Sequence, residues 1–171
     1  MNTEELSPSL QETVDGLRSN FGDELLDVYK STGDTFVRVR PDRIVDITTW
    51  LRDERRFIYL SDVIGADRYT SDERFEVIYN MFSFKEQVRL LVKVWLDEEN
   101  PVIDSVTSVW PAANWFEREV YDMFGVRFNN HPDLRRMYMP EDFRYFPLRK
   151  EFPLLGIPGS IALPSTTPES D

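Results

Sequence analysis

Residues 74–96, RFEVIYNMFSFKEQVRLLVKVWL, decide the fold class. Residues 74–84 and 87–96 each read as a long strand, and residues 83–86 form a tight connection between them. In the second half Val88, Leu90, Val92, Val94 and Leu96 share one side, while Arg89, Leu91, Lys93 and Trp95 share the other. A period of two with one apolar face is the pattern of a half-exposed antiparallel hairpin. The run Asp97-Glu98-Glu99-Asn100-Pro101 ends it.

Upstream, residues 57–63 read as a buried strand followed by a loop over Gly65-Ala66-Asp67-Arg68. Before them Pro41-Asp42 starts a helix with Ile44, Ile47 and Leu51 on one face, ending among residues 52–56. Residues 24–29 and 35–40 form a further hairpin about the turn Ser31-Thr32-Gly33-Asp34. Residues 9–21 read as a helix opened by a capping box, with Ser9 as N-cap and Glu12 reaching back to it. Downstream, residues 102–109 read as a strand. Residues 112–124 return to helical spacing through Ala113, Phe116, Val120 and Met123, and Gly125 stands where a C-cap would.

Runs of strands with helices gathered around them give an α+β class: a single domain over residues 1–128, with an antiparallel or mixed sheet flanked by helices. Residues 129–171 read as an extended partner-docking arm and mobile tail. Pro132, Pro140, Pro147 and Pro153 recur too often for a helix or a central strand. The coil exceeds an ordinary connection, and its aromatics argue for docking onto another subunit. The segment after Leu155 is rich in Pro, Ser and Thr and reads as mobile.

Composition removes several functions. A net charge of −11 opposes free nucleic-acid binding and adsorption to an anionic membrane surface. With no cysteine among 171 residues, thiol nucleophiles, zinc–thiolate sites and cysteine-held iron–sulfur clusters are excluded from this chain. The start, MNTEELSPSL, resembles neither a signal peptide nor a transit peptide. No apolar run approaches the roughly 18 residues of a membrane span.

The candidate chemistry lies in residues 114–154. Glu117 and Glu119 stand two apart on a helix, so their side chains diverge by about 200° and cannot serve one substrate as an acid–base pair. Glu119 and Asp122 share a face; with His131 and Asp133 they define the rival reading, a small metal-dependent hydrolase. The plainer expectation is an ion pair between Arg118 and Asp122, four residues on. His131, the chain's one histidine, has no Gly-flanked nucleophilic serine to activate. Arg135-Arg136 and Arg149-Lys150 lack a glycine-rich phosphate loop and are interleaved with acids, which suits protein recognition.

The run Glu117-Arg118-Glu119-Val120-Tyr121-Asp122-Met123-Phe124-Gly125, then Phe128, then His131-Pro132-Asp133-Leu134-Arg135-Arg136, closely resembles one family's signature. Pro140, Asp142 and the block from Pro147 to Pro153 continue the match. The family is the C-type subunit of bacterial-type NADH:quinone oxidoreductase, respiratory complex I, equivalent to the mitochondrial thirty-kilodalton subunit. Tyr145-Phe146 stand where the family commonly has a Gly-His-like pair, and Met137-Tyr138 where it has aliphatic residues.

The resemblance implies a non-catalytic subunit of the hydrophilic peripheral arm, with no cofactor of its own. FMN and the iron–sulfur clusters would lie in partner subunits. It implies a quinone-site D-type neighbour, here unfused, and cluster-bearing B-type and I-type neighbours, within an enzyme that couples electron transfer from NADH to quinone with proton translocation. Membrane association would be indirect, at the cytoplasmic face of the bacterial cell membrane. Related subunits serve membrane-bound hydrogenases and ferredoxin-linked quinone reductases, the alternative within the same superfamily. The interface residues implied are Glu117, Arg118, Glu119, Asp122, Phe124, Gly125, His131, Pro132, Asp133, Arg135, Arg136, Pro147, Arg149, Lys150 and Phe152.

Overall fold

The computed structural model describes residues 6–70, 72–154 and 156. In chain order come α1 (Pro8–Phe21), β1 (Leu25–Ser31), β2 (Asp34–Val39), α2 (Ile44–Asp53), β3 (Tyr59–Asp67), β4 (Phe75–Ser83), β5 (Val88–Leu96), β6 (Val102–Asp104), α3 (Ala113–Phe124) and β7 (Arg127–Asn129). The α+β expectation holds. The mobile tail expected after Leu155 lies outside the described residues, Gly156 apart.

The five long strands form one mixed sheet in the order β1-β2-β5-β4-β3. The hairpin read from residues 74–96 is its centre, with Phe75 opposite Leu96 and Ser83 opposite Val88. Pairs β1/β2, β3/β4 and β4/β5 are antiparallel. β2 and β5 run parallel, with Val37 opposite Val92. β6 and β7 form a separate parallel pair.

One sheet face carries Val37, Val39, Phe75, Val77, Tyr79, Met81, Leu90, Val92 and Val94, and it builds the core with Val14 and Leu17 of α1 and Ile44, Ile47 and Leu51 of α2. Each such fully buried aliphatic side chain contributes about 1.5–3 kcal/mol. The two helices are tied by Arg55, which donates to the Thr13 hydroxyl at 3.1 Å, the Ser9 carbonyl at 3.3 Å and the Glu12 carboxylate at 3.1 Å.

Three local expectations are corrected. The N-cap of α1 is Ser7, whose hydroxyl accepts from the Leu10 N–H, and Pro8 takes the first helical position that its missing N–H suits. The strand expected over residues 102–109 stops at Asp104, because Ser105 and Val106 turn inward to the Glu117 carboxylate. The loop expected at Gly65 is strand. β3 runs on to Asp67, and the bare Cα of Gly65 is what lets α3 pack against it. A Cβ there would sit 2.6 Å from the Phe124 ring and 3.0 Å from Val120.

Gly65→Ala therefore forces α3 away from β3. The expected loss is about 1–3 kcal/mol of unfolding free energy, read by urea denaturation. A stability equal to wild type would show that the two elements are not in this contact.

Candidate functional site

Every residue of the signature lies on α3 or on the segment after it, and the helix turns a different side to each task. Gly125 ends the helix in the left-handed region, φ 78°, with its N–H on the Tyr121 carbonyl. The next three carbonyls, which an isolated helix leaves without partners, are all capped by the arm. Arg136 Nη1 donates to the Asp122 carbonyl at 3.2 Å, the Leu148 N–H to Met123 at 3.1 Å, and Arg149 Nε to Phe124 at 2.7 Å. Two guanidinium groups at a helix C-terminus also suit the sign of its dipole.

Asp122, fully buried, fixes the arm's course. One carboxylate oxygen accepts the backbone N–H groups of Met137, Tyr138 and Met139 at 3.0, 2.6 and 3.0 Å. The other accepts Arg136 Nη1 at 2.7 Å. Burial alone would raise this carboxyl; the three N–H donors and Arg136 outweigh it and hold it below the usual range. Arg118 does not pair with Asp122 as expected. Its guanidinium donates to the carbonyls of Arg135 at 3.0 Å and Arg136 at 3.1 Å.

Glu117 is also fully buried and faces the other way, accepting the Ser105 hydroxyl at 2.6 Å and the Val106 N–H at 2.8 Å. Burial dominates those donors and pushes its carboxyl up to about 7. His131 lies against it, Nε2 being 3.9 Å from the carboxylate. His131 Nδ1 accepts the Asp133 N–H at 3.0 Å, so the ring proton sits on Nε2 and reaches the Asn114 carbonyl at 3.1 Å. Burial lowers the histidine below its usual range.

Glu119 is exposed on the outer side of α3, as the helical geometry requires. The four proposed metal ligands do not converge: Glu119 is in solvent, Asp122 is inside the clasp, and Asp133 is bound by Arg135 at 2.7 Å. Among the described residues no three His, Asp or Glu side chains gather as metal ligands would.

A second attachment point escaped the sequence reading. Arg74 clamps Asp67 with both ends of its guanidinium, at 2.9 and 2.6 Å, and reaches Glu98 at 2.6 Å and Glu151 of the arm. Asp67 in turn accepts the Lys150 N–H at 2.8 Å. The hydrogen bonds from Arg74 outweigh burial and draw the Asp67 carboxyl down to about 2. Arg74 stands just before β4 and Asp67 closes β3, so no local period marks them as partners. Pro147 and Phe152 sit half-buried beside these anchors, while Pro132, Arg135 and Lys150 point outward. β7 straddles the expected boundary between residues 128 and 129, and the arm is bonded to its own domain from Arg135 to Glu151.

Fold and clasp together define an α+β domain whose last helix and C-terminal arm are locked as one unit. Residues 37–157 match the family described as respiratory-chain NADH dehydrogenase, 30 Kd subunit, and the chain belongs to that family. It is 46% identical over 143 residues to the C-type subunit of the NADH-quinone oxidoreductase of Roseiflexus sp. (strain RS-1), covering 82% of each chain. With the corresponding subunit from Geotalea uraniireducens (strain Rf4) it shares 43% over 140 residues, 82% of this chain and 85% of the other. Among solved structures, a trypsin-resistant fragment (1–134) of Nqo5 superposes with a TM-score of 0.65 at 30% identity, covering 74% of this chain and 99% of the fragment. The same fold, at 22% identity and a TM-score of 0.69, occurs in an archaeal respiratory membrane complex, the membrane-bound sulfane sulfur reductase; 85% of this chain and 86% of that one are covered.

Two outcomes follow from the buried carboxylates of α3. Asp122→Ala strands Arg136 and three N–H groups, so it should cost about 3–5 kcal/mol and speed tryptic cleavage after Arg136 and Arg144. Cleavage at the wild-type rate would contradict the clasp. For Glu117, a folded-state pKa of about 7 against an ordinary 4.5 means a contribution fully present below pH 4.5 and lost as pH rises through 7. Glu117→Gln should therefore match wild type near pH 4 and exceed it by about 3 kcal/mol near pH 8. A difference that does not vary with pH would disprove the shift.

Proposed function

We propose that this chain is a non-catalytic peripheral-arm subunit of a proton-translocating NADH:quinone oxidoreductase. It holds the quinone-site module together while electrons pass from NADH to quinone. The observation that carries this reading is the fate of the family signature. Its charged residues Arg118, Asp122 and Arg136 are turned inward onto the arm, whose course they shape, and Glu117 is turned inward onto Ser105 and Val106. Residues so used position a surface.

On this reading the exposed Glu119, Pro132, Arg135 and Lys150, with the half-buried Asp133 and Phe152, meet the partners directly. Arg118, Asp122, Phe124, Gly125, His131, Arg136, Pro147 and Arg149 act through the arm they hold, and Glu117 through the turn at Ser105 and Val106. The partners are the D-type quinone-site subunit and the cluster-bearing B-type and I-type subunits, and FMN and the iron–sulfur clusters belong to those and other neighbours. Among the described residues no helix is long and apolar enough to cross a membrane; attachment at the cytoplasmic face then runs through the complex.

A second reading, a homologous subunit of a membrane-bound hydrogenase or ferredoxin-linked quinone reductase, draws support from the recurrence of the fold in the sulfane sulfur reductase complex. The higher identity to NADH-quinone oxidoreductase subunits favours the first.

The tagged chain, purified from its native membranes, should bring with it an assembly containing FMN and iron–sulfur clusters that oxidises NADH with quinone. Recovery solely as a free monomer would sink the reading. Arg135→Glu is the sharper probe, because Arg135 is exposed and bonded only locally through its side chain to Asp133. It should lower recovery of the complex about threefold to tenfold while leaving the melting temperature of the isolated chain nearly unchanged.

A further inference from the structure

We infer that the arm carries a preformed docking cleft for a partner segment that presents an apolar side chain beside a carboxylate. This rests on the subunit reading above and names the chemistry of one contact within it.

The cleft encloses about 350 Å³; its walls are Tyr145, Phe146 and Phe152, with Arg144, Arg149 and Glu151 at its margin. That is the lower end of ligand-pocket sizes, about 300–1,000 Å³, suited to one or two side chains. Phe143, Tyr145 and Phe152 form an aromatic triad with ring centroids 5.8, 6.2 and 6.3 Å apart. Tyr145 is nonetheless 51% exposed. Such rings are the residues that most often anchor interfaces.

The walls are held in place before any partner arrives. Arg136 Nη2 donates to the Tyr145 carbonyl at 3.1 Å, Arg149 Nε is on the Phe124 carbonyl, and Glu151 is on Arg74. A cleft already ordered loses little conformational entropy on binding.

Charge selects the occupant. Arg149 is engaged by a carbonyl, by the Phe146 ring at 4.5 Å and by the Phe75 ring at 4.8 Å. The Glu151 charge is answered by Arg74. Arg144 is left: it is exposed, and its side chain makes no hydrogen bond, ion pair or ring contact among the described residues. An open guanidinium beside an apolar wall is built for a carboxylate, with two parallel hydrogen bonds. From His131 to Leu154 five basic side chains face four acidic ones, a positive segment in a chain of net charge −11. An acidic partner is thus attracted here and repelled elsewhere. A polyphosphate or an anionic lipid surface would need a broader basic field than a single free arginine.

The test places a photo-crosslinker, Tyr145→p-benzoylphenylalanine, in the full chain within the purified membrane complex, with mass spectrometry of the product. Expected is a crosslink to a partner-subunit peptide in which Asp or Glu adjoins the apolar residue hit. Arg144→Glu in the same chain should reduce the yield about tenfold, Arg144→Lys should reduce it less, and reversing the partner's carboxylate should restore it. Should position 145 not tolerate the probe, the same probe at Pro153, which also lines the cleft and is exposed, reads the same neighbour with Arg144 intact. Crosslinking to lipid, to nucleic acid, to a basic or wholly apolar peptide, or only within this chain overturns the cleft while the subunit reading stands. A wild-type chain that enters no complex overturns both.

Discussion

The carboxylate of Asp122 is the constraint on which the arm depends. Three consecutive backbone N–H groups converge on one of its oxygens, so residues 137–139 are bent around an anion as a nest is. Out of water the arrangement is all or nothing: a buried charge is tolerable only when its hydrogen bonds are complete. The helix that bears Asp122 needs partners for its last carbonyls, and the same stretch of arm supplies them. Helix end and arm are therefore mutually required. A second fastening, Asp67 with Arg74, draws the far end of the arm onto the sheet through Lys150 and Glu151. Between the two the arm has both ends held, which explains how a proline-rich segment without strand or helix keeps a defined surface.

Glu117 and Asp122 make an instructive pair. Both are fully buried on one helix, yet one is pushed up and the other held down. The difference is the greater depth of Glu117 together with the number and charge of the donors. Asp122 has three N–H groups and a guanidinium; Glu117 has a hydroxyl and one N–H, beside a histidine whose charged form burial disfavours. Helical spacing could place them but could not rank them.

The sequence made much of the frame legible. The alternation in residues 88–96 marked a half-buried strand, and the spacing from Ala113 to Met123 with Gly125 behind it marked a helix and its stop. Those signals are local, and the structure keeps them. Long-range choices left no such trace. Nothing in the period of β2 distinguishes a parallel neighbour from an antiparallel one, so its alignment with β5 was out of reach. Ser7 and Ser9 are equally good caps until Pro8 is seen to take the first turn. At the site, resemblance to a family picked out the residues but not their direction. Asp122 was matched with the nearest cation in sequence, Arg118, although Arg136 holds it, and the Arg74 cluster joins segments too far apart for any motif to connect.

The parallel alignment of β2 with β5 also sets an order of events in time. Residues 36–38 lie against residues 91–93, so the first hairpin of the chain is made long before its lateral neighbour exists. As synthesis proceeds, β1 and β2 emerge with one edge of β2 open, and α2, β3 and β4 must follow before β5 can fill it. β5 is the strand that joins the two halves of the sheet, antiparallel to β4 on one side and parallel to β2 on the other. A chain stopped short of Val88 would hold two hairpin-sized fragments with exposed edges and no sheet. Completion of the core, and with it a surface for α3 and the arm, waits on a single late strand.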